Sequence, residues 1–438
     1  MKVCIVGKYP PIEGGVSAST YWTARVLAEQ GHQVHVVTNA EEIEPEFRMW
    51  MDEEDRKRCE GSFEGEGFVR VNYAPQIEAG AYIPWANPFV TKLAGMVTEV
   101  VRRERCKLIY AYYFEPYGMA AHLASAWTGV PYVIQHAGTD LGRLMQIQAL
   151  GVAYRELLLA ATAVITSSNQ HAQRFQEIGV APDRIVFMRN NSVPTDCFNP
   201  EVVPLDVNKV IAEAEGFVQA YHLPRETKEA IVAMNAKSLC PETPTIGIYG
   251  KVGETKGSFD LVKALARIKS MCSFNFLAII GGRPGVVKSF VGCIQESDLA
   301  DRTWLLPFVP HWRVPSFIRR CSLVCFLERD FPITFHAPKI AREVLACGVC
   351  LVCSGEIVNK QAHSAEFISG KNLVIVEDPK KTDGLGDSLL QLLLDENRRL
   401  AIGCEGHKLS QQLEDFSAFK AEQGALFTRL LGLALTDH

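Results

Sequence analysis

The stretch from Val3 to Thr38 decides the fold. It opens with the apolar run VCIVG at 3–7, continues as a helical pattern from Ser17 to Gln30, and ends in a second apolar run, QVHVVT, at 33–38. Short apolar runs that alternate with amphipathic helical stretches are typical of βαβ units, in which parallel strands carry helices on both faces. This stretch therefore predicts a doubly wound α/β fold.

The same alternation of apolar runs and helical stretches continues in two separate series along the chain. The first series adds LIYAYYF, PYVIQH and AVITSS, and the second runs from TIGIYG through FNFLAIIGG, TWLLPFV, LVCFLE and CLVCS to NLVIVED. Between them, a polar and helix-favouring segment from Val202 to Glu242 breaks the rhythm near the turn-rich CPETP. We therefore predict two Rossmann-like doubly wound domains that face a central cleft, at residues 1–203 and 245–438. A helical insert or linker occupies 204–244, and C-terminal helices end the second domain.

The composition is that of an ordinary globular protein. The 438 residues exceed what one hydrophobic core usually serves, which favours two domains, and 47% of them are hydrophobic while 22% are charged. A net charge of −5 gives no sign of a nucleic-acid surface. An anionic substrate therefore needs a local cationic pocket.

Several features bear on location. The start of the chain lacks the long apolar region of a signal peptide, and no stretch reaches the roughly 18 apolar residues of a membrane helix. The thirteen cysteines are scattered through apparent strands and helices, as in a reduced compartment. The basic run from Arg102 to Lys107 fits either a solvated helix or contact with an anionic membrane surface. We expect a cytoplasmic protein, with membrane contact at most peripheral at the inner face.

A glycine pair lies in the turn after the first apolar run. Gly14 and Gly15 precede the helical pattern, and adjacent glycines let backbone N–H groups approach an anion at a helix N-terminus. The spacing is not G-x-G-x-x-G and two prolines occupy the turn, which argues against a nicotinamide or flavin cofactor. The pair alone is equally consistent with a surface turn.

Two lysines follow the first strand of the second series. The segment YGKVGETKGSFDLVKAL places Lys251 and Lys256 in a loop, with Gly257 opening the next helix. In open parallel sheets, ligands bind beyond the carboxyl ends of the strands, where two ammonium groups would face a diphosphate. Solvated loop lysines are the alternative.

A glutamate lies on a short helix of the second series. We predict a helix that begins near Pro338 and ends at Gly348, because proline favours the first turn and glycine the end. Glu343 then lies in its middle, where a carboxylate can accept hydrogen bonds from ribose hydroxyls. A solvated glutamate on the helix surface is the alternative.

One histidine follows a strand of the first series. His136 ends PYVIQH, where the first sheet would meet the cleft, so it is a candidate site residue or a hydrogen-bonded structural histidine. Asp140 nearby is predicted to cap a helix.

Cys347, Cys350 and Cys353 form a C-x-x-C-x-x-C pattern, which also occurs in zinc and iron–sulfur sites. The run passes from a helix end into an apolar strand, where Cys350 and Cys353 point to opposite faces. We therefore predict buried apolar cysteines and no metal site.

Together these motifs resemble the retaining GT-B glycosyltransferases of family four. The GG loop, the segment ITSSNQHAQRF and the segment NNSVPTDCFNP are similar to landmarks of that family. The loop from Gly250 to Gly257 resembles the family's Gly-Arg-x-x-x-x-Lys-Gly, with Lys251 in the arginine place. PKIAREVLACG resembles the family helix that carries Glu343, and the stretch around Val309 resembles the one whose backbone recognises the base.

The resemblance implies transfer of a sugar from a UDP- or GDP-sugar to an acceptor hydroxyl, with retention at the anomeric carbon. The first domain would bind the acceptor, which is a carbohydrate, a lipid-linked molecule or a small molecule, and the second would bind the nucleotide-sugar. No cofactor or catalytic metal is expected, because lysines can neutralise the leaving diphosphate. The implied roles are diphosphate binding by Lys251 and Lys256, ribose binding by Glu343, phosphate or acceptor contact by Gly14 and Gly15, and donor-sugar contact by His136.

One departure from the family concerns the sugar end of the site. Family members often carry a Glu-x₇-Glu pair, and Phe335 stands where the first glutamate would be. Thr334 or His336 is a candidate substitute in contacting the donor sugar. A sugar-nucleotide epimerase of the same fold and a catalytically impaired sugar-nucleotide-binding protein remain alternatives, while a phosphorylase and a dehydrogenase are disfavoured.

Overall fold

A computed structural model describes residues 1–75, 88–188, 192–332 and 338–436. The chain forms two compact units, each built on its own sheet, which confirms the predicted pair of α/β folds. Unit 1 comprises Met1–Ile43, Met51–Asn190 and Ser417–His438, and unit 2 comprises Glu44–Trp50 and Asn191–Phe416.

The strands are numbered along the chain. They are β1 Lys2–Val6, β2 Gln33–Thr38, β3 Gly61–Ser62, β4 Phe68–Tyr73, β5 Leu108–Tyr112, β6 Tyr132–Gln135, β7 Ala163–Thr166, β8 Ile185–Phe187, β9 Thr245–Ile248, β10 Asn275–Ile280, β11 Thr303–Pro307, β12 Leu323–Phe326, β13 Cys350–Ser354 and β14 Val374–Val376.

The α-helices are numbered in the same way. They are α1 Gly15–Glu29, α2 Glu53–Arg58, α3 Phe89–Glu104, α4 Met119–Thr128, α5 Gly138–Gly142, α6 Gln148–Ala160, α7 Asn169–Ile178, α8 Val207–Gln219, α9 Arg225–Asn235, α10 Ser258–Ile268, α11 Pro284–Glu296, α12 Val314–Arg320, α13 Ile340–Ala346, α14 Gly355–Asn359, α15 Thr382–Leu394, α16 Glu396–Leu413 and α17 Phe416–Thr436. Within the four described ranges, none of these helices is long and apolar enough to cross a membrane.

The sheet of unit 1 has the order β3-β4-β2-β1-β5-β6-β7-β8. Every pairing is parallel except that of the short β3 with β4. Val3 on the central β1 pairs with Val34 on one side and Leu108 on the other. Strands buried on both faces are continuous apolar runs, which explains why VCIVG predicted this strand.

The sheet of unit 2 has the order β11-β10-β9-β12-β13-β14, with every pairing parallel. From β9 the chain first builds outward through β10 and β11, and then returns to add β12 on the other side of β9. Ligands of open α/β sheets bind at the carboxyl edge beside such a switch in strand order. The loops after β9 and β12 therefore define the place to look for a site in unit 2.

The three cysteines of the C-x-x-C-x-x-C pattern are buried, as predicted. Cys350 lies in the apolar core on one face of the unit 2 sheet, and Cys353 lies in the core on the other face. Burial raises the pKa of each of these two thiols to about 12. These thiols are therefore protonated at neutral pH and pack as small apolar side chains.

Helices α8 and α9 lie within the predicted 204–244 insert and pack on the edge strand β11 of unit 2. The side chain of Asn235 bonds both backbone groups of Leu305: its Nδ2 donates to the carbonyl oxygen at 2.8 Å, and its Oδ1 accepts from the N–H at 2.8 Å. An edge strand exposes unpaired backbone groups. The segment thus closes one edge of the sheet.

The compact units have other bounds than the predicted domain ranges at three places. Residues 191–203, predicted to end the first domain, belong to unit 2. Glu44–Trp50 follows β2 in sequence but belongs to unit 2, where the Gly282 N–H donates to the Glu46 carbonyl at 3.1 Å. The chain from Ser417 onward belongs to unit 1. There the Gln423 amide donates to the Thr23 hydroxyl at 3.2 Å, which joins α17 to α1. Neither of these two contacts could be predicted from the sequence, because no periodic pattern indicates it.

Candidate functional site

The loop after β9 presents Lys251 at the carboxyl edge of unit 2. Gly250 has a φ of 104°, a value that favours glycine and that turns the chain sharply after the strand. Lys251 is exposed, and its ammonium lies 5.7 Å from the centre of the Phe47 ring. Lys251 therefore lies in the loop beyond the strand, as predicted, and this loop is beside the switch in strand order.

Lys256 lies in the same loop but in a different environment. It ends the 3₁₀ turn Glu254–Lys256, and Gly257 follows with a φ of 69°. A Cβ at Gly257 would come within 2.2 Å of the Leu327 carbonyl oxygen, so the loop packs directly on the end of the neighbouring strand β12. This packing carries the Lys256 side chain into the sheet edge.

The ammonium of Lys256 donates to the carboxylate of Glu328 and lies 3.8 Å from the centre of the Phe331 ring. Burial lowers the pKa of Lys256, and Glu328 opposes that shift. Only 26% of the Lys256 side chain is exposed, and Glu328 is fully buried. Lys256 is thus a half-buried, paired cation and not a solvated loop lysine.

Glu343 lies in α13, as predicted, and is almost completely buried. Its Oε2 accepts a hydrogen bond from the Tyr249 hydroxyl at 2.8 Å, and its Oε1 lies 2.8 Å from His311 Nε2. Burial favours the neutral acid, but His311 and the Tyr249 hydroxyl outweigh it and lower the pKa of Glu343. The carboxylate is therefore ionised and held at two oxygens. His311 and Tyr249 are candidate site residues that the sequence alone did not indicate.

Val309 lies two residues beyond β11 and is buried. The carbonyl of Phe308 accepts a hydrogen bond from the Trp50 N–H at 2.6 Å. A Cβ at Gly281, after β10, would come within 2.1 Å of the Phe308 ring. The backbone around Val309 is thus enclosed by the β10 loop and by Glu44–Trp50.

The glycine pair of unit 1 has the predicted position. Gly14 is the N-cap of α1 with a φ of 102°, and Gly15 is the first residue of this helix. Both are exposed, and a Cβ added at either would meet nothing within 4 Å. The first-turn N–H groups of a long helix are therefore open to an approaching group.

His136 follows β6 in unit 1 and is buried. Its Nε2 lies 3.1 Å from the Thr166 hydroxyl, and its ring packs against His171 and Phe175 at centre distances of 4.7 and 5.2 Å. Burial, together with His171, lowers the pKa of His136 to about 3. The imidazole is therefore neutral at physiological pH and is a hydrogen-bonding group there.

Asp140 has the predicted capping role. Its Oδ2 accepts a hydrogen bond from the Ala137 N–H at 2.7 Å, at the start of α5. Burial raises the pKa of Asp140 to about 7, although the Ala137 N–H favours the charged form.

The candidate contacts to the donor sugar, Thr334 and His336, lie outside the described residues, as does Phe335. Elsewhere in the described part of the chain, no three His, Cys, Asp or Glu side chains are grouped to hold a metal ion. Unit 2 thus brings Lys251, Lys256, Val309 and Glu343 to one sheet edge, whereas Gly14, Gly15 and His136 lie in unit 1.

Two doubly wound units, with two lysines and a held glutamate at the carboxyl edge of the second, fit the GT-B class of glycosyltransferases. Residues 14–191 match the glycosyl transferase 4-like domain, and residues 233–409 match the glycosyl transferases group 1 family. The chain therefore belongs to the group 1 glycosyltransferases, and its reaction is sugar transfer from a nucleotide-sugar.

Solved structures agree with this fold. The chain is similar to sucrose-phosphate synthase from Thermosynechococcus elongatus, with 15% identity, 99% of each chain covered and a TM-score of 0.63. It is similar to Anabaena HepE in complex with UDP-glucose, with 16% identity, 98% of this chain and 100% of that chain covered, and a TM-score of 0.62. A glycosyltransferase from Rickettsia africae has 13% identity, 98% coverage of each chain and a TM-score of 0.60. The chain has no match among curated protein sequences.

Proposed function

We propose that this protein transfers a hexosyl group from a UDP- or GDP-sugar to an acceptor hydroxyl with retention of anomeric configuration. The bond from the anomeric carbon to the diphosphate breaks, and a bond from that carbon to the acceptor oxygen forms. The hydroxyl proton leaves to the departing diphosphate or to solvent.

The observation that carries the proposal is the position of Lys251 and Lys256 beside the switch in strand order of unit 2. Negative charge develops on the diphosphate as the sugar departs, and fixed cations stabilise such charge in the transition state. Lys251 lies in the exposed part of the loop, while Lys256 is held within the sheet edge. We propose that these ammonium groups do the work of a metal, so that turnover persists in EDTA.

The roles proposed for the nucleoside part of the donor rest on the same carboxyl edge of the unit 2 sheet and on the similar solved structures. We propose that Glu343, ionised and held by Tyr249 and His311, binds the ribose, and that backbone groups near Val309 contact the base. Anabaena HepE structures are described with UDP-glucose and with UDP and glucose, which supports a uridine nucleotide and a carbohydrate acceptor.

Unit 1 is proposed to bind the acceptor. The open N-terminus of α1 at Gly14 and Gly15 suits a phosphate or another electron-rich group, and His136 would contact the donor sugar as a neutral hydrogen-bonding group. A lipid-linked or small-molecule acceptor fits these features equally well. We also propose a cytoplasmic location, peripheral to the membrane at most, because all thirteen cysteines are free thiols.

Calorimetric titration with UDP, GDP and ADP tests the nucleotide site. We expect one nucleotide to bind and Lys256→Ala to weaken it; absence of binding by all three would refute the proposal. Incubation with labelled UDP- or GDP-sugars, with NMR detection of the anomeric proton of the product, then tests retention.

A second candidate is a sugar-nucleotide-binding protein with impaired catalysis, which Phe335 favours because the family's first carboxylate is absent there. Slow hydrolysis of a labelled donor in water separates the two. An enzyme releases free sugar over hours, whereas a binding protein retains intact donor.

A further inference from the structure

The end of β12 holds a carboxylate between two ammonium groups. Glu328 is fully buried; Lys256 binds its Oε2, and Lys360, which follows α14, donates to its Oε1 at 2.9 Å. The side chain of Lys360 is only 10% exposed. Both ammonium groups also face the Phe331 ring, at 3.8 and 5.2 Å from its centre.

We propose that Glu328 is a positioning residue of the donor site: its buried carboxylate fixes the ammonium of Lys256 for the diphosphate, while Lys360 anchors the other oxygen of that carboxylate. The proposal rests on the proposed function, because it assigns Lys256 to the diphosphate. Glu328 does not touch the donor in this scheme; it acts through Lys256.

Chemistry explains why such a partner is needed. An ammonium withdrawn from water loses hydration and tends to release its proton, unless an opposite charge lies close by. Lys256 is half-buried, so a neutral amine there would neither bind a diphosphate nor stabilise its departure. The Glu328 carboxylate keeps Lys256 protonated. The ion pairs of its two oxygens with Lys256 and Lys360 in turn fix the position of this carboxylate.

The charged groups around Lys256 come from four elements. Glu328 at the end of β12 raises its pKa, whereas Lys360 and Lys251 lower it. Glu356 on α14 binds Lys360 and the Phe331 N–H. Arg329, next to Glu328, is directed to other carboxylates, with its Nε 2.6 Å from Asp260 and its Nη2 3.4 Å from Glu254.

This arrangement predicts opposite effects of two substitutions. Glu328→Gln removes the opposing charge and lowers the pKa of Lys256. Lys360→Met removes a neighbouring cation and raises that pKa. A purely structural role for the cluster predicts loss of stability in both variants but no such opposite shifts.

The full-length protein with lysine labelled by ¹³C at Cε is titrated by NMR, and Lys256→Arg identifies the Lys256 resonance. The expected result is a lower titration midpoint in Glu328→Gln and a higher one in Lys360→Met. Glu414→Gln is the matched control, because Glu414 is another buried carboxylate of unit 2, bound to Arg342, and it should leave the midpoint unchanged. An unchanged midpoint in Glu328→Gln, or a lowered one in Lys360→Met, overturns the proposal. If Glu328→Gln does not fold, Lys360→Met decides alone.

UDP titration of the same variants links the cluster to the donor site. Glu328→Gln should weaken UDP binding on the order of tenfold, as expected when a buried charge loses its partner. If the midpoints shift as expected but Lys256→Ala binds UDP normally, the donor role of the site is refuted and Glu328 remains only the ion-pair partner of Lys256. If Lys256→Ala loses UDP and Glu328→Gln retains normal affinity and midpoint, the donor site stands and the positioning role is overturned.

Discussion

His311 Nε2 lies 2.8 Å from Oε1 of Glu343, joining the loop after β11 to helix α13. Burial alone would favour the neutral acid of Glu343, so the imidazole and the Tyr249 hydroxyl at the other oxygen keep it ionised. The geometry of this carboxylate is therefore set by its neighbours within unit 2. In its proposed role as the ribose partner, this reduces the ordering that a ligand must impose.

His311→Ala should reveal this dependence through pH. The lowered pKa of Glu343 means that its ionised form contributes stability above its ordinary pKa, and that this contribution is lost as pH falls through the folded-state value. Without His311, the effect of burial on the Glu343 carboxyl dominates and favours its neutral form. The free energy of unfolding should therefore fall by about 1.5–3 kcal/mol at pH 7, and by less at pH 4, in urea denaturation.

His407→Ala is the control for this experiment, because His407 Nδ1 lies 2.9 Å from the Ala346 carbonyl in the same unit and has no carboxylate in that contact. The loss of unfolding free energy in His407→Ala should not depend on the ionisation of Glu343. An equal cost of His311→Ala at both pH values would contradict the coupling to Glu343.

Lys256→Ala should reduce turnover about 100-fold or more, the usual cost of removing one stabilising group from a developing anion. Circular dichroism should show an intact fold, since Gly257 and the loop backbone remain. Lys380→Ala is the matched control, because Lys380 is an exposed lysine of unit 2 that pairs with Asp330. Equal turnover in the two variants would remove Lys256 from the mechanism.

The two sheets could be predicted because their strands are buried on both faces and therefore appear as apolar runs. VCIVG became β1 and CLVCS became β13, and the helix ends at Gln30 and Gly348 lay within two residues of those observed. Local pattern and burial act together in these elements, so a single sequence contains the information.

The partners of the site residues could not be predicted in the same way. Glu328 lies 72 positions from Lys256, and Tyr249 lies 94 positions from Glu343. Such pairs form because parallel strands bring distant loops to one edge, and no local period records them. The sequence did mark Glu328, because it is the charged residue that ends the apolar run LVCFLE. Its contact with Lys256 could not be predicted without knowing which strand lies beside β9.

His136 should remain neutral across the range in which most histidines titrate. Its folded-state pKa of about 3 lies below the ordinary value, so the unfolded chain takes up a proton between about pH 6.5 and 3 that the folded protein does not. Stability from the buried neutral ring is full above pH 6.5 and is lost as pH falls, by about 1.4 kcal/mol per pH unit in this window.

Replacement by asparagine removes that slope. We expect the difference in free energy of unfolding between the wild type and His136→Asn, measured by urea denaturation, to shrink as the pH falls from 7 to 4. His363→Asn, at an exposed histidine of unit 2, is the control. A wild-type slope retained in His136→Asn would show that another group is responsible.

Asn235→Ala should destabilise unit 2 without touching the proposed donor site. The substitution leaves the N–H and carbonyl of Leu305 on edge strand β11 without the amide that bonds both. Unsatisfied buried polar groups cost about 1–3 kcal/mol each, so the urea midpoint should fall clearly, while UDP affinity below the transition stays the same. Asn199→Ala is the control, since its amide also bonds two backbone groups, the Asp196 carbonyl and the Glu201 N–H, but in an exposed turn, where the loss should cost less than about 0.5 kcal/mol. Equal midpoints for the two variants would mean that the edge of β11 finds another partner, and weaker UDP binding would mean that α9 influences the site through the β11 loop. Because β11 leads to Phe308 and Val309, the unchanged affinity is the more demanding half of this prediction. It requires the end of the strand to hold its place through its remaining contacts, among them those with β10 and Glu44–Trp50.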